Sequence, residues 1–146
     1  MKLRPYDAVD ESALATVWFE SWRSVGLAEP AVVRSDLAAR TKRELSARWD
    51  VTVAEEDGRV VGFLAIAPEE RRLDQLFVLP EMQGRGIGGA LFNLAAAKMR
   101  DGFWLSTQLN NHRARDFYTR RGMILDRVEG DAETERAVYI MRALGT

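Results

Sequence analysis

A glycine-rich turn in the middle of the chain constrains the fold more than any other feature of the sequence. Four glycines fall within six residues, after an apolar run over Leu73 to Leu79 and four intervening residues, and before an apolar helical stretch. Glycines let a backbone turn tightly and approach a ligand, and a helix that begins there directs its free N–H groups at the turn. This pattern is typical of an anion site, with a glycine-rich surface turn as the alternative.

The composition is that of an ordinary globular protein. The chain has 146 residues, 47% hydrophobic and 29% charged side chains, and a formal net charge of -1. This length predicts a single domain over residues 1–146, and the charge argues against a general nucleic-acid partner. No apolar run could span a bilayer, and Met1 to Pro5 lead into polar sequence without a signal-peptide core. We therefore expect no membrane partner and a cytoplasmic location.

Cysteine is absent and histidine occurs once, at His112. A chain without cysteine cannot form a disulfide, a thiolate zinc site or a cysteine acyl-enzyme. A single imidazole also argues against a histidine-rich metal site or a Ser-His-Asp triad. We therefore expect no metal and assign no chemistry to His112.

Hydrophobic periodicity predicts a mixed α/β sheet with the order β-α-α-β-β-β-α-β-α-β-β. An amphipathic helix is expected over Glu11 to Val25, with Asp10 as its N-cap and Gly26 as its stop, and a second over about Ala31 to Ala47. The Asp57-Gly58 pair between two strand-like runs predicts a hairpin. The remaining helices are expected at Ile87 to Arg100 and Asn111 to Arg121, and the remaining strands at Leu73 to Leu79, Phe103 to Thr107, Ile124 to Val128 and Ala137 to Arg142.

The strands on either side of the glycine turn should be parallel neighbours. Strand, turn, helix and strand form one crossover unit between Leu73 to Leu79 and Phe103 to Thr107. Ligands bind at the carboxyl ends of such strands. Both the turn and the segment Gln108 to Asn111 lie at that end, so Asn111 is expected beside the proposed anion site.

A nicotinamide or flavin enzyme is the rival interpretation, because Gly84, Gly86 and Gly89 satisfy the G-x-G-x-x-G pattern. In that fold the glycines follow the first strand directly, whereas here Pro80 to Gln83 intervene and most of the domain precedes the glycines. The next strand also ends in Ser-Thr-Gln rather than in the acidic residue that binds a ribose. The context therefore argues against a dinucleotide site.

Two motifs resemble those of the GCN5-related N-acetyltransferase (GNAT) family. The segment Gln83 to Gly88, Gln-Gly-Arg-Gly-Ile-Gly, is similar to the Gln/Arg-x-x-Gly-x-Gly/Ala motif of that family. The segment Asn111 to Met123 is similar to its second signature, Asn-x-x-Ala-x-x-Phe-Tyr-x-x-x-Gly-Phe, with Met123 in place of the last Phe. The predicted element order also agrees with the fold of the family across essentially the whole chain.

The resemblance implies acetyl-CoA as co-substrate and an amine as acceptor. The pantetheine arm would pair like an extra strand with Val78 and Leu79, where the fourth and fifth strands of the family separate. Asn111 would contact the donor from the other side. The pyrophosphate would lie on the backbone amides of the turn, which are those of Gln83, Gly84, Arg85, Gly86, Ile87, Gly88 and Gly89. The Arg85 side chain could contact a phosphate or be a solvated loop residue.

Direct transfer to an amine requires a neutral nucleophile. An alkylamine with a pKa near ~10.4 is mostly protonated at pH 7, and freeing its lone pair costs about 4.6 kcal/mol. Asp74 is the first candidate for a general base, because alternation places it on one strand face with Leu76 and Val78. The alternative is a surface aspartate paired with Arg71 or Arg72. Glu20 on the first helix is a weaker candidate.

The leaving thiolate of CoA must receive a proton, and a tyrosine phenol can supply one at neutral pH. Within the second motif we assign this role to Tyr118. Asn111, Ala114 and Tyr118 share one helical face, and the small Ala114 leaves room for the donor. A tyrosine that only packs in the core is the alternative.

The acceptor pocket of the family usually lies near the first helix and the segment Gly26 to Asp36. Trp18 and Trp22 are expected in the core, whereas Phe19 and Glu20 could contact the substrate. The sequence leaves open whether the acceptor is a small-molecule amine or a peptide amine. A homodimer is possible. The alternative function is a non-catalytic acyl-CoA-binding module. Four basic residues form a solvated face or approach the adenosine 3′-phosphate, namely Arg113, Arg115, Arg120 and Arg121.

Overall fold

The computed structural model describes residues 1–24, 34–132 and 134–143 of the chain. In this part the predicted element order is confirmed, and the bounds differ from the predicted ones by at most a few residues. The predicted end of the first helix and start of the second lie outside the described residues. The strands are β1 (Lys2–Pro5), β2 (Asp50–Glu56), β3 (Arg59–Ala67), β4 (Arg72–Val78), β5 (Phe103–Gln108), β6 (Ile124–Glu129) and β7 (Arg136–Met141). The helices are α1 (Glu11–Ser24), α2 (Arg34–Ala47), α3 (Ile87–Lys98) and α4 (His112–Arg120).

The strands form one mixed sheet in the order β1-β2-β3-β4-β5-β7-β6. The predicted parallel pairing of β4 with β5 is confirmed, and the other neighbouring strands described are antiparallel. The register of β4 with β5 contains a single pair, Arg72 with Trp104. The two strands therefore separate soon after β4 begins, which opens the middle of the sheet.

Helices cover both faces of the sheet. Phe63 of β3 packs against Trp18 of α1, with ring centroids 5.9 Å apart. Its neighbour Gly62 faces the other way, where an added Cβ would lie 3.4 Å from Leu91 of α3. Trp18, Phe63 and Leu91 are each at most 2% exposed, and burial of each such side chain stabilises the fold by about 1.5–3 kcal/mol.

Local signals explain both confirmed and corrected details. The predicted hairpin turn has φ of 51° at Asp57 and 78° at Gly58, the pair of positive angles that a two-residue turn of type I′ requires. The prediction that Asp10 is the N-cap of α1 is wrong. Instead Asp7 caps a 3-10 turn that leads into α1, while Asp10 is buried and accepts two hydrogen bonds from Arg4. Among the described helices, none has both the length and the apolar character to cross a membrane.

Candidate active site

A cleft of about 640 Å³ lies where β4 and β5 separate, and it reaches both faces of the sheet. On one side it is lined by the glycine turn, the start of α3 and α4. On the other side it is lined by α1, α2 and the first residue of β7. The cleft thus joins the predicted anion site to the region where an acceptor was expected.

A β-bulge at Asp74 shapes the strand that lines this cleft. Ala65 pairs with Gln75 and Ile66 pairs with Leu73, so Asp74 has no partner in β3. The extra residue breaks the alternation of side chains along β4. The prediction that Asp74 shares a face with Leu76 and Val78 is therefore wrong, because alternation alone takes no account of a bulge.

The Asp74 side chain is 3% exposed and is held from the α1 and α2 side of the sheet. Its Oδ2 accepts hydrogen bonds from Arg48 Nη2 at 2.9 Å and Trp49 Nε1 at 2.7 Å. Its Oδ1 lies 3.5 Å from Arg72 Nε, so the predicted pairing with Arg72 is present in addition to the Arg48 pair. Asp74 lines the cleft, and Oδ1 is the oxygen with no short hydrogen bond among the described residues.

The glycine turn has the backbone geometry of an anion cradle. Gly84 and Gly86 have φ of 81° and 85°, a region that other residues rarely adopt, and Gly86 is the N-cap of α3. The free N–H groups of the first turn of α3 therefore lie next to the turn. A Cβ at Gly88 would lie 3.2 Å from the Phe117 ring, so the glycine at this position lets α4 pack closely against the start of α3.

Arg121 brings a positive charge to the same place. A Cβ at Gly89 would lie 3.2 Å from Arg121 Nη2, and the guanidinium lies over the Phe117 ring at 3.6 Å while donating to the Phe117 carbonyl. No described carboxylate is within ion-pair distance of Arg121. Of the other three basic residues in this region, Arg113 is exposed, Arg120 pairs with Asp116, and Arg115 donates to Tyr139 Oη.

The end of β4 is fastened to α1 and to the turn through one carbonyl. Val78 O accepts from Ser21 Oγ at 2.9 Å and from Gln83 Nε2 at 3.0 Å. The Leu79 N–H donates to Val61 O at 2.8 Å, so it is not available for the predicted strand-like pairing with a ligand. By alternation, the Val78 N–H points toward β5. Gln83 Oε1 is buried with no partner among the described residues, an acceptor left open beside the turn.

The second motif brings three residues to the opposite wall. Asn111 caps α4, with its Oδ1 accepting from the Ala114 N–H at 3.2 Å. Tyr118 is 8% exposed and packs edge-on against Phe117, with ring centroids 5.2 Å apart. All three of Asn111, Ala114 and Tyr118 line the cleft, as their predicted common face requires. Burial raises the pKa of the Tyr118 phenol well above its usual value, an effect that the Arg121 charge partly opposes.

The acceptor side contains three residues to which the sequence analysis gave no role there, Arg40, Ser106 and Arg136, together with Arg72. Trp22, which was expected in the core, packs against the core but is only half-buried and also lines the cleft. Trp18 belongs to the core as predicted, although it also reaches the cleft.

The expectation that Phe19 and Glu20 contact the substrate is not supported, because neither lines the described cleft. Glu20 instead pairs with Arg23 at 2.9 Å, and Arg23 covers the Phe19 ring. Helical spacing showed which residues share a face, but not which face would meet the cleft.

Comparisons with known proteins agree with this geometry. The family model described as acetyltransferase (GNAT) family matches residues 13–123. An uncharacterized N-acetyltransferase of Archaeoglobus fulgidus is 37% identical over 133 residues, which cover 81% of this chain and 89% of that protein.

Two solved structures share the fold across nearly the whole chain. A GCN5-related N-acetyltransferase from Rhodopseudomonas palustris has a TM-score of 0.78 at 21% identity, with 98% of this chain and 95% of that chain covered. The PaiA N-acetyltransferase from Thermoplasma acidophilum, in complex with coenzyme A, has a TM-score of 0.78 at 19% identity, with 97% and 98% covered. Because the family model spans more than half of the residues, the protein belongs to the GNAT family and is an N-acetyltransferase.

Proposed function

We propose that the protein transfers an acetyl group from acetyl-CoA to a primary amine by direct attack within a ternary complex. The observation that carries this proposal is the separation of β4 and β5, which meet at one residue pair and leave a cleft open to both faces. A donor can enter from the side of the glycine turn while an acceptor enters from the side of α1 and α2. Both substrates then meet between the two strands.

The residues at the turn fit the diphosphate of CoA. Gly84 and Gly86 hold the turn in a conformation that presents backbone N–H groups, the first turn of α3 adds its own, and Arg121 supplies a cation. The Val78 N–H would pair with an amide of the pantetheine arm, and Asn111 retains its side-chain N–H groups for the same ligand. The complex of the PaiA relative with coenzyme A supports this assignment.

Bound acetyl-CoA would supply an activated acyl group with a thiolate as leaving group. Tyr118 would hold a proton on its Oη for that sulfur, since its buried phenol stays protonated at neutral pH. Asp74 Oδ1 would accept the proton of the acceptor ammonium, either directly or through water. Because the chain has no cysteine, transfer through a cysteine acyl-enzyme is excluded.

The test is release of CoA thiol from acetyl-CoA over a panel of amino acids, polyamines, aminoglycosides and peptide N-termini. We expect release with at least one class, and initial-rate lines that intersect when both substrates are varied, which distinguishes a ternary complex from a ping-pong scheme. Binding of acetyl-CoA in calorimetry without release for any class would instead support a non-catalytic acyl-CoA-binding module.

A further inference from the structure

The acceptor side of the cleft is lined by more cations than anions. Three guanidinium groups, those of Arg40, Arg72 and Arg136, line it together with one carboxylate, that of Asp74. Asp74 is already paired with Arg48 and Arg72. Neither Arg40 nor Arg136 has a carboxylate within ion-pair distance among the residues that the structure describes.

Arg136 is the most firmly placed of these cations. It is half-buried at the start of β7, where Nε donates to Ser106 Oγ and Nη2 donates to the Ser106 carbonyl, each at 2.9 Å. These two bonds fix the plane of the guanidinium and leave Nη1 unbonded within the described chain. Burial and the neighbouring Arg72 charge lower the pKa of Arg136, and the carboxylates of Asp74 and Glu129, which form no ion pair with it, oppose this shift only in part.

Arg72 is also incompletely satisfied. Its guanidinium lies over the Trp104 ring at 4.6 Å, and its buried Nε has no hydrogen-bond partner among the described residues. Arg40 lies over the Trp18 ring at 5.2 Å. Arg40 and Arg136 are thus held by an aromatic face or by neutral oxygens, which orient a guanidinium without neutralising its charge. Arg72 has a carboxylate partner, Asp74, which it shares with Arg48.

The phosphates of CoA do not account for these charges. Phe103 of β5 packs against Phe92 of α3. Ser106 lies three residues further along the strand, so alternation places it on the opposite face, the α1 and α2 side of the sheet, together with its partner Arg136. The glycine turn, by contrast, leads into α3. The cations on the α1 and α2 side are therefore available to the acceptor.

The charge balance also restricts the acceptor. A polyamine would bring further positive charge next to Arg40, Arg72 and Arg136, and like charges at short range repel one another. A carboxylate would supply the missing anion and accept paired N–H donors from a guanidinium. We propose that the acceptor is an amine that also carries a carboxylate, an amino acid being the simplest case, with Arg136 and Arg72 binding that carboxylate. This assignment rests on the proposed acetyl transfer to an amine.

The first experiment compares matched acceptors. Phenylalanine, lysine and methionine are each assayed beside the amine that lacks only the carboxylate, with CoA thiol release as the readout. For the amino acid that is acetylated best, we expect kcat/KM to be at least tenfold higher than for its matched amine, mainly because KM is lower. Equal or better use of the amines, or of O-phosphoethanolamine, would overturn the proposal.

A second experiment uses variants of the proposed carboxylate site. Arg136→Gln should remove most of the discrimination within each pair, Arg136→Lys should restore part of it, and Ser106→Ala should have an intermediate effect because the guanidinium loses its anchor. Arg127→Gln is the matched control, since Arg127 lies exposed on the neighbouring strand β6 and pairs with Asp126 and Glu129. Unchanged discrimination in Arg136→Gln would refute the proposal.

A binding measurement separates this proposal from the proposed function. The same amino acids and amines are titrated by calorimetry into protein saturated with CoA, without any turnover. Binding of amino acids that Arg136→Gln weakens at least tenfold supports the carboxylate site even if no acceptor releases CoA. Absence of amino-acid binding while some amine is acetylated would refute the carboxylate site and leave the acetyl transfer standing.

Discussion

Gly89 and Arg121 lie against each other at the start of α3, where a Cβ at residue 89 would lie 3.2 Å from Arg121 Nη2. The absence of a side chain at Gly89 therefore allows a guanidinium to approach the N-terminus of a helix. Two positive groups next to each other are unfavourable unless an anion lies between them. This relationship makes the start of α3 the best place to test for donor binding.

We expect Arg121→Gln to raise the Kd of CoA about tenfold or more, because one charge-assisted contact with a phosphate is lost. The measurement is calorimetric titration at fixed salt. Arg127→Gln removes the same charge from exposed β6 and should bind CoA as the parent protein does. Equal affinities of the two variants would show that Arg121 does not contact the donor.

Gly86 and Gly58 offer a matched pair for the turn. Their φ angles are 85° and 78°, and neither position has an atom within 4 Å of an added Cβ. Alanine should therefore cost each variant a similar stability, about 1–2 kcal/mol in urea unfolding. Only Gly86→Ala is expected to raise the KM for acetyl-CoA, and a similar KM in both variants would argue against the cradle.

Tyr118→Phe should lower kcat about 100-fold with little change in CoA affinity, because the proton for the leaving thiolate is lost. Tyr139→Phe is the control, since Tyr139 is also buried and accepts from Arg115 but does not line the cleft. That control should keep its kcat and lose only about 1 kcal/mol of stability. If both variants turn over equally, Tyr118 is not the acid.

The raised pKa of Tyr118 predicts how stability depends on alkaline pH. An unfolded tyrosine ionises near pH ~10, whereas the buried Tyr118 keeps its proton to higher pH. The folded state then binds more protons than the unfolded state, so the free energy of unfolding falls as pH rises above about 10. Urea unfolding between pH 8 and 11 should show a smaller fall for Tyr118→Phe, and parallel curves for the two proteins would contradict this.

Asp74→Asn should lower kcat about 100-fold at pH 7, because the acceptor ammonium then has no carboxylate to take its proton. The loss should shrink as pH rises toward the pKa of the amine, which then loses its proton to water. Asp50→Asn, which removes an exposed partner of Lys98, is the control. A loss of kcat that is the same at every pH would mean that Asp74 acts only through its bonds to Arg48 and Trp49.

Much of the site could be predicted from local sequence patterns. The glycine turn, Asn111, Ala114 and Tyr118 could be placed because turn chemistry and helical spacing are short-range properties, and the structure brings all of them to one cleft. The face on which Asp74 lies could not be predicted in this way. Its neighbours Arg48 and Trp49 lie about 25 residues away in sequence, and the bulge that turns it toward them depends on how β3 and β4 pair.

The sequence by itself determined the order of helices and strands, the position of the anion turn and the family, since each follows from residue types at short spacing. Only the tertiary structure decided where β4 and β5 separate, which helix faces line the opening, and that Arg136 of β7 bonds to Ser106 of the neighbouring strand β5. The physical reason is that strand register and side-chain packing join residues far apart in the chain. Such contacts leave no periodic signal in the sequence.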